Sequence, residues 1–260
     1  MNFKEEKPLY LLKEIARILR SENGCAWDRV QTSKTLKSYL IEEAYELYDA
    51  IESDDAASMK EELGDVLYQV YAHSQIAEEE GRFTIDDVAA GIAQKLIRRH
   101  PHVFGNEGPK DKEQVSIDWE KIKKKEKESR ASILEGVPAH TPALLKAYRV
   151  QQKVSRVGFD WERIDDVVTK LDEEIGEFKE ALQSQNREHV MEEIGDILFC
   201  IANISRFLSI NPEEALRKNV DKFMRRFQFI EKEAARAGKD ISEMTLAEMD
   251  ALWEKAKTSV

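Results

Sequence analysis

LIEEAYE at residues 40–46 and EELGDVL at 61–67 return as LDEEIGE at 171–177 and EEIGDIL at 192–198, and this recurrence decides the fold. Glu43 matches Glu174 and Glu62 matches Glu193, and the separation along the chain is identical for both pairs. Further out, KLIRRH (95–100) matches KFMRRF (222–227) at a slightly smaller separation, and WEKIK (119–123) matches WEKAK (253–257) at a slightly larger one. Small differences in loop length account for the drift. Four blocks in one order define a duplicated unit, each copy about half of the 260-residue chain and therefore one small domain. The boundaries expected are residues 1–130 for the N-terminal copy, 131–140 for a linker and 141–260 for the C-terminal copy.

Each copy reads as helical. Leu9, Leu12, Ile15, Ile18 and Leu19, then Leu63, Val66, Leu67 and Val70, fall at spacings of three and four. SENG (21–24) ends the first helix, SDDAAS (53–58) separates two more, Thr84 caps a helix from Ile85, and Pro101 closes it. GNEGPKDKEQ (105–114) reads as a loop, WEKIKKKEKESR (119–130) as a charged helix and EGVPAHTP (135–142) as a turn-rich connection. With 11 Gly and 6 Pro, turn material is too sparse for an all-β fold. The expected fold class is all-α, a tandem repeat of two helical domains.

Composition excludes several functions. Hydrophobic residues make up 42% and charged residues 35%, too apolar a balance for wholesale disorder. No run of roughly 18 apolar residues occurs, and the start MNFKEEKPLY lacks a signal core, so a cytoplasmic protein without membrane contact is expected. Cys25 and Cys200 form no CxxC pair, which excludes a disulfide framework or a structural zinc knuckle. The net charge of −11 repels nucleic-acid polymers, although a small polyanion can bind where metal ions screen it. P-loop and nucleophile-elbow motifs are absent, and His73, His100, His102, His140 and His189 form no metal motif.

The chemistry lies in the acids. Residues three apart on a helix share a face, so Glu174 with Glu177, and Glu193 with Asp196, form two carboxylate pairs. Glu43 with Glu46, and Glu62 with Asp65, repeat the arrangement. The interval between Glu177 and Glu193 leaves room for one helix to end and the next to return and face it. A single E-x-x-E is ordinarily a solvated face; its recurrence in two copies, flanked by apolar Ile175, Ile194 and Ile197 that fit a buried or half-buried bundle, favours a metal site. Inward carboxylates repel unless a cation sits among them, and an all-oxygen donor set suits Mg²⁺. A di-iron bundle would need Glu-x-x-His, which none of the four blocks supplies. Lys222 with Arg226, and Lys95 with Arg99, present i, i+4 cation pairs suited to phosphate oxygens, while Trp253 and Trp119 are candidates to stack on a base or ribose.

These blocks, together with NGCAWD (23–28), KLIRRHPHVF (95–104) and VGFDW (157–161), resemble the MazG nucleoside triphosphate pyrophosphohydrolases in their full-length, two-domain form. The resemblance implies an all-α homodimer whose helix bundles are completed by the second chain. It also implies Mg²⁺-dependent conversion of canonical and aberrant nucleoside triphosphates to monophosphate and diphosphate. On these positions it implies Glu174, Glu177, Glu193 and Asp196 as metal ligands, and Glu173 and Glu192 as catalytic acids that hold a metal or orient the attacking water. Lys170, Lys222, Arg226 and Trp253 would bind the nucleotide. Glu43, Glu46, Glu62, Asp65, Lys95, Arg99 and Trp119 would form a second site in the N-terminal copy. Ala26 departs from the family's usual Pro, and Asn219 is assigned no role. Tyr39 stands at the place of Lys170, which with the resemblance points to the C-terminal copy as the active one. Two alternatives remain at the level of sequence: a hydrolase of another pyrophosphate compound, such as an alarmone or sugar nucleotide, and a non-catalytic helical scaffold.

Overall fold

The computed structural model describes residues 7–105, 108, 110–112, 114–115, 118–119, 122, 126 and 132–259. Most of the charged segment at 119–130 and part of the loop at 105–114 lie outside the described residues. The described residues are helical and contain no strand, so the all-α expectation holds. The chain divides into two compact units, Met1–Glu128 and Ser129–Val260.

In the first unit, α1 (Pro8–Arg20) and the short α2 (Ala26–Val30) precede α3 (Ser33–Glu52) and α4 (Ala56–Glu79), which form the long central pair; α5 (Ile85–Arg99) and the one-turn α6 (Pro101–Phe104) follow. In the second, α7 (Ala143–Ser155), α8 (Ile164–Ser184), α9 (Arg187–Phe207), α10 (Pro212–Arg236), a 3₁₀ turn at Ile241–Glu243 and α11 (Leu246–Ser259) repeat the plan. The pair α3–α4 corresponds to α8–α9, and in each pair a tight turn reverses the chain so that the acid-bearing helices pack side by side.

That turn is duplicated down to its backbone. Asp54 and Gln185, which match in the same register as the acids, both adopt φ of +54°. The next residue caps the incoming helix in both copies. Asp55 accepts from the amides of Ala57 (2.9 Å) and Ser58 (3.3 Å), and Asn186 from those of Glu188 (3.1 Å) and His189 (3.4 Å). After the second long helix, Gly81 and Ser209 take positive φ, then Thr84 caps α5 and Asn211 caps α10. The connection is shorter in the second unit, which contributes to the smaller separation of the blocks that follow the acids. Gly24 is required by space: a Cβ there would lie 2.3 Å from the Ile18 carbonyl oxygen. His100 ends α5 and Pro101 opens α6, so the proline closes one helix by starting another.

The cores are built largely of small residues, with Leu36, Ala72 and Ile76 in the first unit and Val167, Ala181, Ala202, Ile230 and Ala234 in the second. Small side chains bring helix axes close, which brings the acids of facing helices within reach of one ion. Large apolar residues instead stand exposed on α8 and α9, including Val168 (42%), Ile194 (45%) and Leu198 (46%). Ile194, expected on a buried or half-buried face, is exposed in the single chain. Among the described residues no helix is long and apolar enough to cross a membrane.

Arg20 fastens the first unit. Its guanidinium donates to the carbonyls of Asp28 (2.6 Å) and Gln31 (3.0 Å) and to Glu79 on α4 (2.8 Å). Arg20 beside Glu79 holds that carboxyl below its ordinary range. The depressed value means the pair stabilises the fold above the ordinary carboxylate range and is lost as pH falls through the lowered value. Arg20→Ala is expected to cost about 2 kcal/mol, because two part-buried carbonyls and a carboxylate lose a charged donor. Denaturant unfolding at neutral pH checks this, and the difference from wild type should shrink under acid.

Candidate active site

One face of α8 carries Lys170, Glu173, Glu174 and Glu177; the facing side of α9 carries His189, Glu193 and Asp196. Glu174, Glu177 and Glu193 each bring a carboxylate oxygen within 4.8 Å of the other two. Glu174 and Glu193 are buried at 6% and 7% exposure, whereas Glu177 is exposed. Two buried carboxylates this close demand compensation. Lys170 supplies part of it, its Nζ lying 2.9 Å from Glu174 and 2.6 Å from Glu173, and these acids raise its pKa. His189 stands beside the other buried acid, with Nε2 at 3.1 Å from Glu193 Oε1, and adds positive charge there only when protonated.

One oxygen is left over. Glu193 Oε2 is buried without a hydrogen-bond partner among the described residues. The Glu177 carboxyl is pushed upward, first by desolvation and then by Glu174. An orphaned carboxylate oxygen beside an acid that resists ionisation marks a place that fits a divalent cation.

A cleft of about 580 Å³ opens beside the acids. Its apolar wall comes from Val154 on α7, Val167 on α8, Phe199 on α9, and Phe159 with Trp161 in the connection from α7 to α8. Lys170, Glu174 and Asp196 form the polar edge, so Asp196 faces the cleft rather than joining the three-carboxylate cluster. Gly158, at φ +86°, turns the chain into the aromatic segment, and Arg206 of α9 clamps it by donating to Asp160. Glu173 is occupied by Lys170; Glu192 is exposed with no partner among the described residues.

Of the residues expected at the nucleotide, Lys170 lines this cleft, whereas Lys222 and Arg226 on α10 and Trp253 on α11 do not. The Arg226 guanidinium lies 5.5 Å from the centroid of the Trp253 ring, Phe223 packs on the same ring at 5.1 Å, and Arg226 Nε is buried without a hydrogen-bond partner. Lys222 is exposed.

The first unit repeats the acids but not their surroundings. Glu43, Glu62 and Asp65 cluster within 4.8 Å, with Glu46 outside the group. Desolvation, followed by neighbouring acids, pushes Glu43 and Glu62 upward. At the place of Lys170, Tyr39 meets Trp27 edge-on at 5.8 Å and offers no ammonium. At the place of Cys200, buried Gln69 donates to Glu43 at 3.5 Å. Lys95 is exposed, and Arg99 lies 5.4 Å from the Trp119 ring.

His189, the Asp160–Arg206 pair and Gln69 are participants that the sequence motifs did not predict. His189 precedes Glu193 by one helical turn, and that spacing was the available signal. Asp160 stands in the VGFDW block, but its partner lies 46 residues away.

The MazG nucleotide pyrophosphohydrolase domain matches this chain twice, over residues 31–104 and 164–229, the stretches that carry the two acidic clusters. The chain belongs to the MazG nucleotide pyrophosphohydrolase family. It is 47% identical over 247 residues to the nucleoside triphosphate pyrophosphohydrolase/pyrophosphatase MazG of Thermotoga maritima, covering 95% of this chain and 94% of that protein. It is 41% identical over 251 residues to the nucleoside triphosphate pyrophosphohydrolase of Escherichia coli K12, covering 95% of each. The uncharacterized protein YabN of Bacillus subtilis is 50% identical over 260 residues, covering 98% of this chain and 53% of that protein.

The raised Glu177 carboxyl gives a pH test. Its folded pKa lies above the unfolded value, so ionising it costs stability, and the metal-free protein should weaken as pH rises through that value. A bound cation reverses the cost and competes with protons. Mg²⁺ should therefore raise the melting temperature more at about pH 7.5 than at about pH 5. Glu177→Gln with Glu193→Gln should remove most of the difference in differential scanning fluorimetry.

Proposed function

We propose that the second unit is the catalytic one and that it cleaves nucleoside triphosphates between the α and β phosphates, giving a monophosphate and diphosphate. The chain is a nucleoside triphosphate pyrophosphohydrolase by family and by its full-length relatives. The observation that carries the assignment to this unit is the orphaned Glu193 oxygen within the Glu174–Glu177–Glu193 cluster, set beside Lys170 and an apolar cleft.

Glu174, Glu177 and Glu193 would hold Mg²⁺, with Asp196 completing the shell from the edge of the cleft. The ion supplies charge neutralisation for the phosphates and acidifies the attacking water. The chain's own groups do the rest. Lys170 meets phosphate oxygens and offsets the crowding of acids at Glu174. His189 holds Glu193 through Oε1 and leaves Oε2 for the ion. Glu192, free of partners where Glu173 is tied to Lys170, takes the water's proton. The nucleoside docks in the cleft against Phe159 and Trp161 and is thereby shielded from water. Lys222 and Arg226 bind the outgoing diphosphate, with Trp253 acting as the platform that orients Arg226.

The apolar faces of α8 and α9 support assembly with a second copy, which would cover Ile194 and Leu198 and bring the α10–α11 cations to a complete site. The net charge of −11 suits an enzyme acting on free nucleotides rather than on nucleic-acid polymers, and a cytoplasmic location belongs to the same reading. In the first unit the acids remain without an equivalent of Lys170, a difference that supports a structural or regulatory role there.

Incubation of nucleoside triphosphates with Mg²⁺, followed by ³¹P NMR, should show monophosphate and diphosphate; nucleoside diphosphate with orthophosphate would contradict the proposal. Glu193→Gln with Asp196→Asn should reduce turnover by more than the roughly 10–100-fold that loss of a supporting residue costs, with helicity unchanged. Glu62→Gln with Asp65→Asn should leave most activity, and the reverse pattern would move catalysis to the first unit.

A further inference from the structure

The two copies handle their paired cations differently. In the second unit Arg226 rests on Trp253, and neither Arg225 nor Arg226 makes an ion pair among the described residues. In the first unit the matching Arg99 rests on Trp119 at nearly the same distance, 5.4 Å against 5.5 Å. Its guanidinium is taken, however. Arg99 donates to Glu126 Oε2 through Nε (3.0 Å) and Nη2 (2.5 Å), and Arg98 holds Oε1 through Nε (2.8 Å) and Nη2 (2.7 Å).

This is the geometry with which guanidinium forks recognise phosphate: one anion, two oxygens, and charge-assisted bonds from both sides. The site is open on one side: the Arg99 and Glu126 side chains are 14% and 20% exposed, whereas Arg98 is 58% exposed. The two arginines hold the Glu126 carboxyl down to about 2, so it stays ionised at neutral pH and continues to fill the place. The second unit has no equivalent acid, since the register that matches Trp119 to Trp253 sets Glu126 opposite Val260. The first unit therefore keeps the anion-binding platform and places an internal carboxylate on it.

We propose that the first unit carries a second polyphosphate site, formed by Arg98 and by Arg99 over Trp119, occupied in the resting chain by its own Glu126. The inference rests on reading the α10–α11 cations as phosphate ligands. It adds that the N-terminal platform is competent but blocked, and that displacement of Glu126 by a nucleoside triphosphate would open it.

Isothermal titration of the full chain with the non-hydrolysable α,β-methylene-ATP and Mg²⁺ tests the proposal. Wild type should bind one ligand per chain, and Glu126→Ala should bind two. Adding Arg99→Ala to Glu126→Ala should return the count to one. Glu126→Gln, which keeps the side chain's shape, should show the same second site more weakly and covers the case in which the alanine variant does not fold. Two ligands bound to wild type, or one bound to both Glu126 variants, would overturn the lock. Arg226→Ala in the wild-type background tests the underlying reading separately: a clear loss of affinity supports it, and unchanged affinity contradicts it whatever Glu126 does.

Discussion

Crowding of like charge between two helices is the constraint on which the second unit depends. Glu174 and Glu193 are buried within reach of each other and of Glu177, an arrangement that is unfavourable until something positive enters. Lys170 and His189 satisfy individual oxygens but leave Glu193 Oε2 unpaired. The fold holds this arrangement by means unrelated to charge: alanines at the helix crossings, a left-handed turn residue, and an Asn cap fixing where α9 begins. Stability and function would pull in opposite directions here, and a bound cation would reconcile them.

The same scaffold appears twice with different contents. Both units keep the turn, the caps and three clustered carboxylates. Lys170 against Tyr39 changes whether an ammonium stands beside the acids, and Cys200 against Gln69 changes whether a polar group enters the helix pair. Glu126, with Val260 as its counterpart in register, changes whether the basic platform is filled. On the proposed reading, changes of this kind would separate a site that takes a metal-bound polyphosphate from one whose parts are turned on each other.

Much of this is legible in the sequence because duplication is a strong internal control. A single shared separation places both acidic blocks, the helix pairs and the turn between them. Periodicity predicts the helices, and Thr84 and Pro101 mark their ends. Depth and long-range pairing are what a linear pattern does not carry. Nothing in E-E-x-G-D tells that Glu193 is buried while Asp196 faces a cleft, since that depends on how the helices rotate against each other. The aromatic wall of the cleft is held because Arg206 reaches back to Asp160, and the Glu126 ion pairs form because Arg98 and Arg99 meet a residue 28 and 27 positions away. Such contacts leave no periodic trace.

On the proposed reading the α8–α9 carboxylates, and not the basic platform, would hold the cation that the phosphates share. Crystals grown with Mn²⁺ in place of Mg²⁺ and with α,β-methylene-ATP allow the ion to be located by its anomalous scattering. The expected result is a peak among Glu174, Glu177 and Glu193, with phosphate oxygens beside it and the base against Phe159 and Trp161. A peak coordinated only by the nucleotide beside Lys222 and Arg226, with the acidic cluster empty, would contradict it.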